Sequence, residues 1–235
     1  MSDIIFTQAL ERFQSAEHFR IVLFGASNTE RYMPGIHWSD VLETSMRMKF
    51  GRKFQIINSG VSGNNTRHAL NRFDRDVALF QPDLVIVTFG GNDREQEAKE
   101  RYIPEEEYRE NLRQIVRKIH ALGALCVLQT YYKMDLEAMD KPYAERFVRN
   151  MQIVRELAEE ESCHLVDQYA LFDKVDPLVH RYKLMLNPCH TNENGNILIG
   201  LELLRHFDLS AEKIAHNEKI IPWVQVHEKA LQALS

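Results

Sequence analysis

A hydroxyl group stands where an apolar run ends in a tight turn. The run Ile21–Phe24 leads directly into Gly25, Ala26 and Ser27, which predicts that Ser27 follows the carboxyl end of a strand. Ligands of open parallel sheets bind at that edge, outside the carboxyl ends of the strands. A free serine is a poor nucleophile at neutral pH and needs an adjacent base. Ser27 is therefore a candidate nucleophile if the chain brings a base to the same edge.

Three later segments carry side chains with the chemistry that such a serine needs. One apolar run is followed by Gly63 and a second by Asn92, while His190 stands far downstream, before an apolar helical pattern. We expect His190 to take the proton of the serine and later to return it to the leaving alcohol. The other histidines are expected at the surface or at helix ends, among them His37, His68, His164 and His180.

Attack of a serine on an ester also needs fixed donors for the oxyanion, each worth about 10²–10³ in rate in other enzymes. The predicted donors are the backbone amides of Ser27 and Gly63 and the side-chain amide of Asn92. Glycine at position 63 lets the backbone approach a substrate closely. The simpler alternatives are a helix cap for Ser27 and ordinary loop contacts for Asn92. Their occurrence together at strand ends favours the catalytic interpretation.

The elements that must position these residues alternate along the chain. Short, continuous apolar runs predict strands covered on both faces, at Ile21–Phe24, Phe54–Asn58, Leu84–Phe89, Leu125–Gln129 and His164–Asp167. Helical patterns lie at Trp38–Phe50, Thr66–Phe80, Pro104–Leu122, Tyr143–Glu161 and Ile197–Phe207. This alternation predicts an α/β fold, a three-layer αβα sandwich around a parallel sheet of about five strands. In the flavodoxin-like order the first and third strands are neighbours. This order would bring the turns that hold Ser27, Gly63 and Asn92 side by side.

The motifs together resemble those of the SGNH hydrolases, also called GDSL-type lipases and esterases. The blocks of that family contribute a serine, a glycine, an asparagine and a histidine, and here they are Gly25–Thr29, Asn58–Gly63, Gly90–Asp93 and Asn187–His190. They occur in the family's order and cover residues 20 to about 205. The resemblance implies hydrolysis of esters through an acyl-serine intermediate, with a small-molecule ester as the partner and without a metal or an organic cofactor.

Two residues depart from the family's pattern. Ala26 stands where the family usually has an aspartate that braces the nucleophile turn. Asn187 stands three residues before His190, where the family has the aspartate of its catalytic triad. In a serine protease the same change from Asp to Asn costs about 10⁴ in kcat. Three outcomes are open, and we rank them. The first is a Ser-His dyad whose histidine is oriented by Asn187 or by a main-chain carbonyl. The second is a substitute acid from elsewhere in the chain, and the third is a chain with little activity.

Other functions compete with ester hydrolysis. A weakened triad would leave a ligand-binding protein that recognises carbohydrates or esters. A flavodoxin-like nucleotide binder is disfavoured, because no GxGxxG motif follows the first strand. A thiol nucleophile at Cys189 is disfavoured because residues adjacent in sequence, as Cys189 and His190 are, seldom face each other. A zinc site is disfavoured because no two ligands recur at metal-binding spacing.

Two features bear on the substrate. Tyr131 and Tyr132 follow the fourth predicted strand, where their rings either line an acyl or sugar pocket or pack against a helix. The charged stretch Arg94–Ile103 either folds over the site or begins the next helix. The chain lacks a long apolar lid of the kind that binds lipid surfaces. A small soluble ester, such as an acetylated carbohydrate, is therefore favoured over bulk lipid.

Length and composition limit the remaining possibilities. The 235 residues, 44% of them hydrophobic, predict one domain over 1–235, with a core over about 20–207 and a peripheral C-terminal helical segment over 208–235. The net charge of -5 disfavours nucleic acid as a partner. The pattern over 1–20 predicts an amphipathic helix and not a secretory leader. With three cysteines and no membrane-length apolar stretch, we expect a soluble cytoplasmic protein, and nothing in the sequence specifies an oligomeric state.

Overall fold

The computed structural model describes residues 11–13, 15–31, 34–94, 102–209, 211, 214 and 217–235. Within these ranges a central sheet has the strand order β2-β1-β3-β4-β5, with all neighbours parallel. The strands are β1 Phe19–Gly25, β2 Phe54–Gly60, β3 Leu84–Thr88, β4 Leu125–Gln129 and β5 His164–Val166. The predicted αβα architecture and its flavodoxin-like order are confirmed.

The register of β1 sets the level at which three turns leave the sheet. Gly25, the last residue of β1, pairs with Gly60 on β2 and with Thr88 on β3. All three strands therefore end at the same edge, and the segments that carry Ser27 and Asn92 begin there. The position of β1 between β2 and β3 makes this the point where the chain connections diverge, which leaves a crevice at the strand ends.

Helices cover both faces of the sheet. They are α1 Trp38–Phe50, α2 Thr66–Asp76, α3 Glu105–Ala121, α4 Lys141–Glu160, α5 Gln168–Asp173, α6 Glu193–His206 and α7 Ile221–Gln232. Single 3-10 turns lie at Gly51–Lys53, Ala78–Phe80 and Leu136–Ala138. The helix predicted over 66–80 is thus shorter than expected, since it ends at Asp76 and only a 3-10 turn continues it.

Side chains of β1 alternate between two apolar cores. Ile21 and Leu23 point into the core shared with α1 and α6, whereas Val22 and Phe24 point into the core shared with α2 and α3. Every residue of α6 from Gly195 to Leu204 is buried, because α1 and α7 pack against it in addition to the sheet. Burial of each large apolar side chain contributes about 1.5–3 kcal/mol, so the sheet edge that carries the turns is anchored on both sides.

A small hairpin between α5 and α6 is absent from the sequence prediction. After a helical turn over Pro177–Val179 and a π-helical turn over His180–Leu184, the chain forms β6 Met185–Asn187 and β7 His190–Thr191, which are antiparallel. These strands are too short to show the alternation of apolar and polar residues that predicts a strand. The hairpin fixes the position of His190 relative to the sheet.

Several other predictions have a mixed outcome. Of the helix predicted over 1–20, residues 11–13 and 15 are helical, but residues 16–18 are not, and Phe19 and Arg20 already belong to β1. Residues 1–10 and 14, and 95–101 of the charged stretch, lie outside the described residues. His164 and His180 are both buried. His180 lies at the end of the helical turn Pro177–Val179, whereas His164 begins β5, so the expectation of a surface or helix-end position is wrong for His164. No helix among the described residues is long and apolar enough to cross a membrane.

Candidate active site

The turn after β1 is held from several directions. The amides of Thr29 and Glu30 both donate to the carbonyl of Ala26, at 3.0 and 2.9 Å, and close the turn around Ser27. The indole Nε1 of Trp38, at the start of α1, donates to the carbonyl of Asn28 at 2.7 Å. These contacts fix the backbone on both sides of the hydroxyl, and the Ser27 side chain remains partly exposed.

Ser27, His190 and Asn187 form a continuous hydrogen-bonded line. The Nε2 atom of His190 lies 3.0 Å from Oγ of Ser27. Its Nδ1 atom lies 3.1 Å from Oδ1 of Asn187. Residues 163 positions apart in the chain thus meet at one edge of the sheet, in the geometry expected of a nucleophile and its base.

The backbone of the hairpin turn decides which way the Asn187 amide points. Its Oδ1 atom accepts hydrogen bonds from the amides of Cys189 and His190, each at 2.9 Å. Because both backbone groups are donors, the oxygen and not the nitrogen of the side chain must face them. The same oxygen then accepts the proton of Nδ1 on His190, which leaves Nε2 as an acceptor for the Ser27 hydroxyl. Asn187 therefore selects the productive tautomer without supplying a negative charge.

The surroundings of His190 favour its neutral form. Burial and the positive charge of Arg94 hold the pKa of His190 below its usual value. A neutral imidazole is the form that takes a proton from serine. The absence of an acid at position 187 acts in the same direction, because no carboxylate at this position opposes the effect of Arg94.

The three predicted oxyanion donors lie around one cavity. Ser27, Gly63 and Asn92 line a cavity of about 320 Å³ together with His190. The backbone of Gly63 has φ +76°, in the left-handed region that favours glycine. One N–H of the Asn92 amide donates to the carbonyl of Asn64 at 2.7 Å. Since a side-chain amide has two N–H groups, the second is left for a ligand.

The buried carboxylate of Asp93 connects the segment after Gly63 to the loop that carries Asn92. Oδ1 of Asp93 accepts from the amide and the hydroxyl of Thr66, at 2.9 and 2.7 Å, and Oδ2 accepts from the amide of Gly90 at 3.2 Å. Asp93 is fully buried, and this burial raises its pKa to about 6. The contacts tie the start of α2 to the loop after β3, so Asp93 holds Asn92 in place and does not face the cavity.

Arg72 supplies a second brace, which the sequence prediction missed. Its guanidinium donates to the carbonyls of Gly25 and Ser59, both at 2.8 Å, and to Oδ1 of Asn64 at 2.7 Å. It also pairs with Asp76 at 2.9 Å. One side chain thus joins the ends of β1 and β2 to the turn that holds Gly63. The signal was present, since Arg72 lies three positions after Ala69 and therefore on the same face of α2 as this buried apolar residue.

This brace lies where the family's turn aspartate is missing. The side chain of Ala26 is buried in the apolar core beneath β1, and it makes no polar contact of its own. Arg72 reaches the carbonyl of the preceding residue, Gly25. Arg72 on α2 therefore holds the end of β1 beside Ala26, in addition to the hydrogen bonds within the turn and the bond from Trp38.

The two tyrosines after β4 have different positions. Tyr131 lines the cavity that contains Ser27 and His190, although little of its surface is exposed. Tyr132 is buried and does not line that cavity. Its hydroxyl lies 2.8 Å from Oδ1 of Asn28 and 2.7 Å from the carbonyl of Cys189. Tyr132 thus links the serine turn to the histidine hairpin.

No cluster of three or more potential metal ligands occurs among the residues that the structure describes. The cavity instead presents a hydroxyl, an imidazole and amide donors. This set matches covalent acyl transfer, in which the positive charge needed at the oxyanion comes from N–H dipoles.

The comparisons with known proteins identify the family of this chain. The model of the GDSL-like lipase/acylhydrolase family matches residues 23–196. The chain belongs to this family and is a carboxylic ester hydrolase.

Two curated relatives illustrate the likeness. An acetylxylan esterase of Geobacillus stearothermophilus is 27% identical over 156 residues, which cover 64% of this chain and 71% of the relative. The GDSL esterase/lipase CPRD49 of Arabidopsis thaliana is 26% identical over 205 residues, which cover 79% of this chain and 77% of the relative.

Solved structures share the fold. A catalytic mutant of Axe2, the acetylxylan esterase from Geobacillus stearothermophilus, superimposes with a TM-score of 0.71 at 21% identity, over 82% of this chain and 95% of that one. The acetyl xylan esterase AlAXEase gives a TM-score of 0.69 at 18% identity, over 80% and 98%. The catalytic mutants of Axe2 replace a serine, an aspartate and a histidine, with the aspartate three residues before the histidine. Asn187 and His190 have the same spacing here.

Proposed function

We propose that this protein hydrolyses short-chain esters through an acyl-Ser27 intermediate. The observation that carries the proposal is the 3.0 Å separation between Nε2 of His190 and Oγ of Ser27. That distance lies within the range of a nucleophile and its general base. Membership of the family establishes that the protein hydrolyses esters, and we propose the roles of the individual residues.

In the proposed reaction His190 removes the proton from Ser27 as Oγ attacks the ester carbonyl. The resulting oxyanion accepts hydrogen bonds from the amides of Ser27 and Gly63 and from Nδ2 of Asn92. The intermediate collapses with transfer of the proton from His190 to the leaving alcohol. Water then attacks the acyl-serine, with His190 again acting first as base and then as acid, and the free acid leaves.

The size of the cavity supports small substrates. Its volume of about 320 Å³ is at the lower end of the range for small-molecule sites, and it must hold both halves of the ester. The curated and structural relatives include enzymes named for acetylxylan. We therefore favour acetyl esters of carbohydrates among the possible substrates, ahead of lipids.

The first test compares rates on acetyl and butyryl esters for the wild type, Ser27→Ala and His190→Ala. We expect each variant to lose at least about 10³ in kcat, since removal of either group disables the pair. Ser59→Ala is a matched control, because its hydroxyl lies at the same sheet edge and donates to the carbonyl of Asp76. Faster cleavage of long-chain emulsions than of acetyl esters by the wild type would contradict the substrate class.

A second candidate function is ligand binding with residual catalysis, and Asn187 is the observation that favours it. Without a carboxylate, the imidazolium that forms in the transition state is less stabilised. In that case the wild type and Ser27→Ala would show the same low rate over a broad panel of esters. Saturable binding of an acetylated oligosaccharide without turnover would then identify the protein as a binding module.

A further inference from the structure

A buried cation borders the cavity, and no step of the proposed reaction gives it a contact with a reacting atom. Arg94 is 5% exposed and lines the same cavity as Ser27 and His190. It directly follows Asp93, so the brace that Asp93 forms with Thr66 also fixes the backbone from which Arg94 projects. The position of its guanidinium is therefore set by the same loop that sets Asn92.

Among the residues that the structure describes, the contacts of Arg94 provide no acid to pair with its charge. One terminal nitrogen donates to the carbonyl of Gly91 and the other lies 3.4 Å from Sγ of Cys189, a weak acceptor. The guanidinium carbon is 5.5 Å from the ring centroid of Phe147. The buried Nε atom has no hydrogen-bond partner, and no Asp or Glu of the described ranges forms an ion pair with Arg94.

Arg72 shows how the chain treats a similar cation that serves structure alone. Arg72 is 7% exposed, and its guanidinium is paired with Asp76 and saturated by carbonyls. Burial of an ion without a partner is costly, and buried charges are normally paired. Within the described ranges Arg94 departs from that rule, and it lies at the cavity that contains Ser27 and His190.

We propose that Arg94 binds a carboxylate carried by the ester substrate, next to the bond that is cleaved. The inference rests on the proposed function and narrows its substrate class from short esters to acidic ones. Two of the five N–H groups of the guanidinium are engaged. Each terminal nitrogen keeps one further N–H, and the planar guanidinium holds these groups as a fork in a geometry that matches the two oxygens of a carboxylate.

The carboxylate belongs either to the acyl half or to the alcohol half of the ester, and matched substrates separate the two. Phenyl acetate is compared with para-acetoxybenzoate, which carries the carboxylate on the alcohol half. Phenyl butyrate is compared with phenyl hydrogen succinate, which carries it on the acyl half. The measured quantity is the ratio of kcat/KM between the acidic ester and its neutral counterpart.

Replacement of Arg94 by Gln should lower that ratio by about 10–100-fold for one of the two pairs, the range expected for hydrogen bonds to a charged group. A ratio also cancels the effect that loss of the charge has on His190, because both esters of a pair use the same base. Arg149→Gln is the matched control. It removes an equal charge from a surface pair with Glu105 and Glu156 and leaves the cavity untouched.

Ratios that are equal in the wild type and Arg94→Gln for both pairs would overturn the proposal. If Arg94→Gln fails to fold, Arg94→Lys keeps the charge without the fork and should show an intermediate ratio. Inhibition of the wild type gives a readout that needs no variant: benzoate should inhibit at least about tenfold more strongly than benzamide, and equal inhibition contradicts the proposal. Failure of the proposed function would be seen separately, because the wild type would then not hydrolyse phenyl acetate at all.

Discussion

Replacement of Asn187 by aspartate should make this enzyme faster. Oδ1 of Asn187 already accepts the Nδ1 proton of His190 at 3.1 Å and is held by the amides of Cys189 and His190. A carboxylate at this position can accept the same three hydrogen bonds, so the change adds a charge and alters little else. It supplies the triad acid that the family usually has.

The magnitude follows from the distance and the exposure of the site. Two unit charges about 4 Å apart interact by about 1 kcal/mol in water and about 4 kcal/mol at an effective dielectric constant of about 20. Asn187 is exposed and His190 partly so, which places the imidazolium–carboxylate attraction at about 1–2 kcal/mol. At 1.36 kcal/mol per factor of ten, kcat should rise about 5–30-fold. The gain is far below the 10⁴ seen in a serine protease, because the asparagine here already fixes the tautomer.

The assay measures kcat and kcat/KM on a neutral acetyl ester over a range of pH for the wild type, Asn187→Asp and Asn187→Ala. The added carboxylate should raise the pKa of His190 and move the acid limb of the profile to higher pH. Asn187→Ala removes the acceptor and should be slower than the wild type by at least about tenfold. The reasoning is refuted if Asn187→Asp is no faster than the wild type at about pH 8, or if its acid limb does not move.

Three further predictions test the surroundings of the site. Because burial and Arg94 lower the pKa of His190, wild-type kcat/KM should fall with acid at a midpoint below about pH 6.5; a midpoint above that value in a pH–rate profile contradicts it. Replacement of Arg72 by Ala leaves buried carbonyls without donors and should lower the free energy of unfolding, measured in urea, by about 2–4 kcal/mol. It should also reduce kcat by a larger factor than it raises KM. An unchanged kcat would show that Arg72 does not position the site. Burial acts to raise the pKa of Glu202, but the hydrogen bonds that Glu202 accepts from His206, His227 and Arg205 together outweigh burial and hold this pKa well below the usual range. Its stabilisation is therefore present above the unfolded pKa of about 4.3 and is lost as pH falls below it. Glu202→Gln should lower the free energy of unfolding by about 1–3 kcal/mol near pH 7. The difference in this free energy between the variant and the wild type should narrow below about pH 4, and a difference that does not depend on pH would contradict the prediction.

The sequence predicted the sheet and the main residues of the site because both leave local signals. Continuous apolar runs marked β1 to β5, and the strand order brought together turns that already carried Ser27 and Asn92. The position of His190 was inferred from its place before α6. The short hairpin that orients it left no periodic pattern, so its geometry appeared only in the structure.

What the sequence did not reveal are the long-range polar contacts. Arg72 is one of several charged residues in the helical pattern over 66–80 and belongs to none of the motifs, although its guanidinium joins β1, β2 and the turn of Gly63. Arg94 begins the charged stretch Arg94–Ile103, which the sequence predicts either to fold over the site or to begin the next helix. In both cases the function depends on which carbonyls and acids lie nearby, and these come from distant parts of the chain. The role of Tyr132 as a link between Asn28 and Cys189 is hidden for the same reason.

The most direct test of the central claim is the capture of the covalent intermediate on Ser27. The wild type is mixed with an excess of an activated acetyl ester, quenched in acid, digested and analysed by mass spectrometry. We expect one acetyl group on the peptide that contains Ser27, formed at a rate equal to the initial release of the alcohol and absent in Ser27→Ala. Acetylation of another residue at that rate, or turnover that persists in Ser27→Ala, would contradict the account.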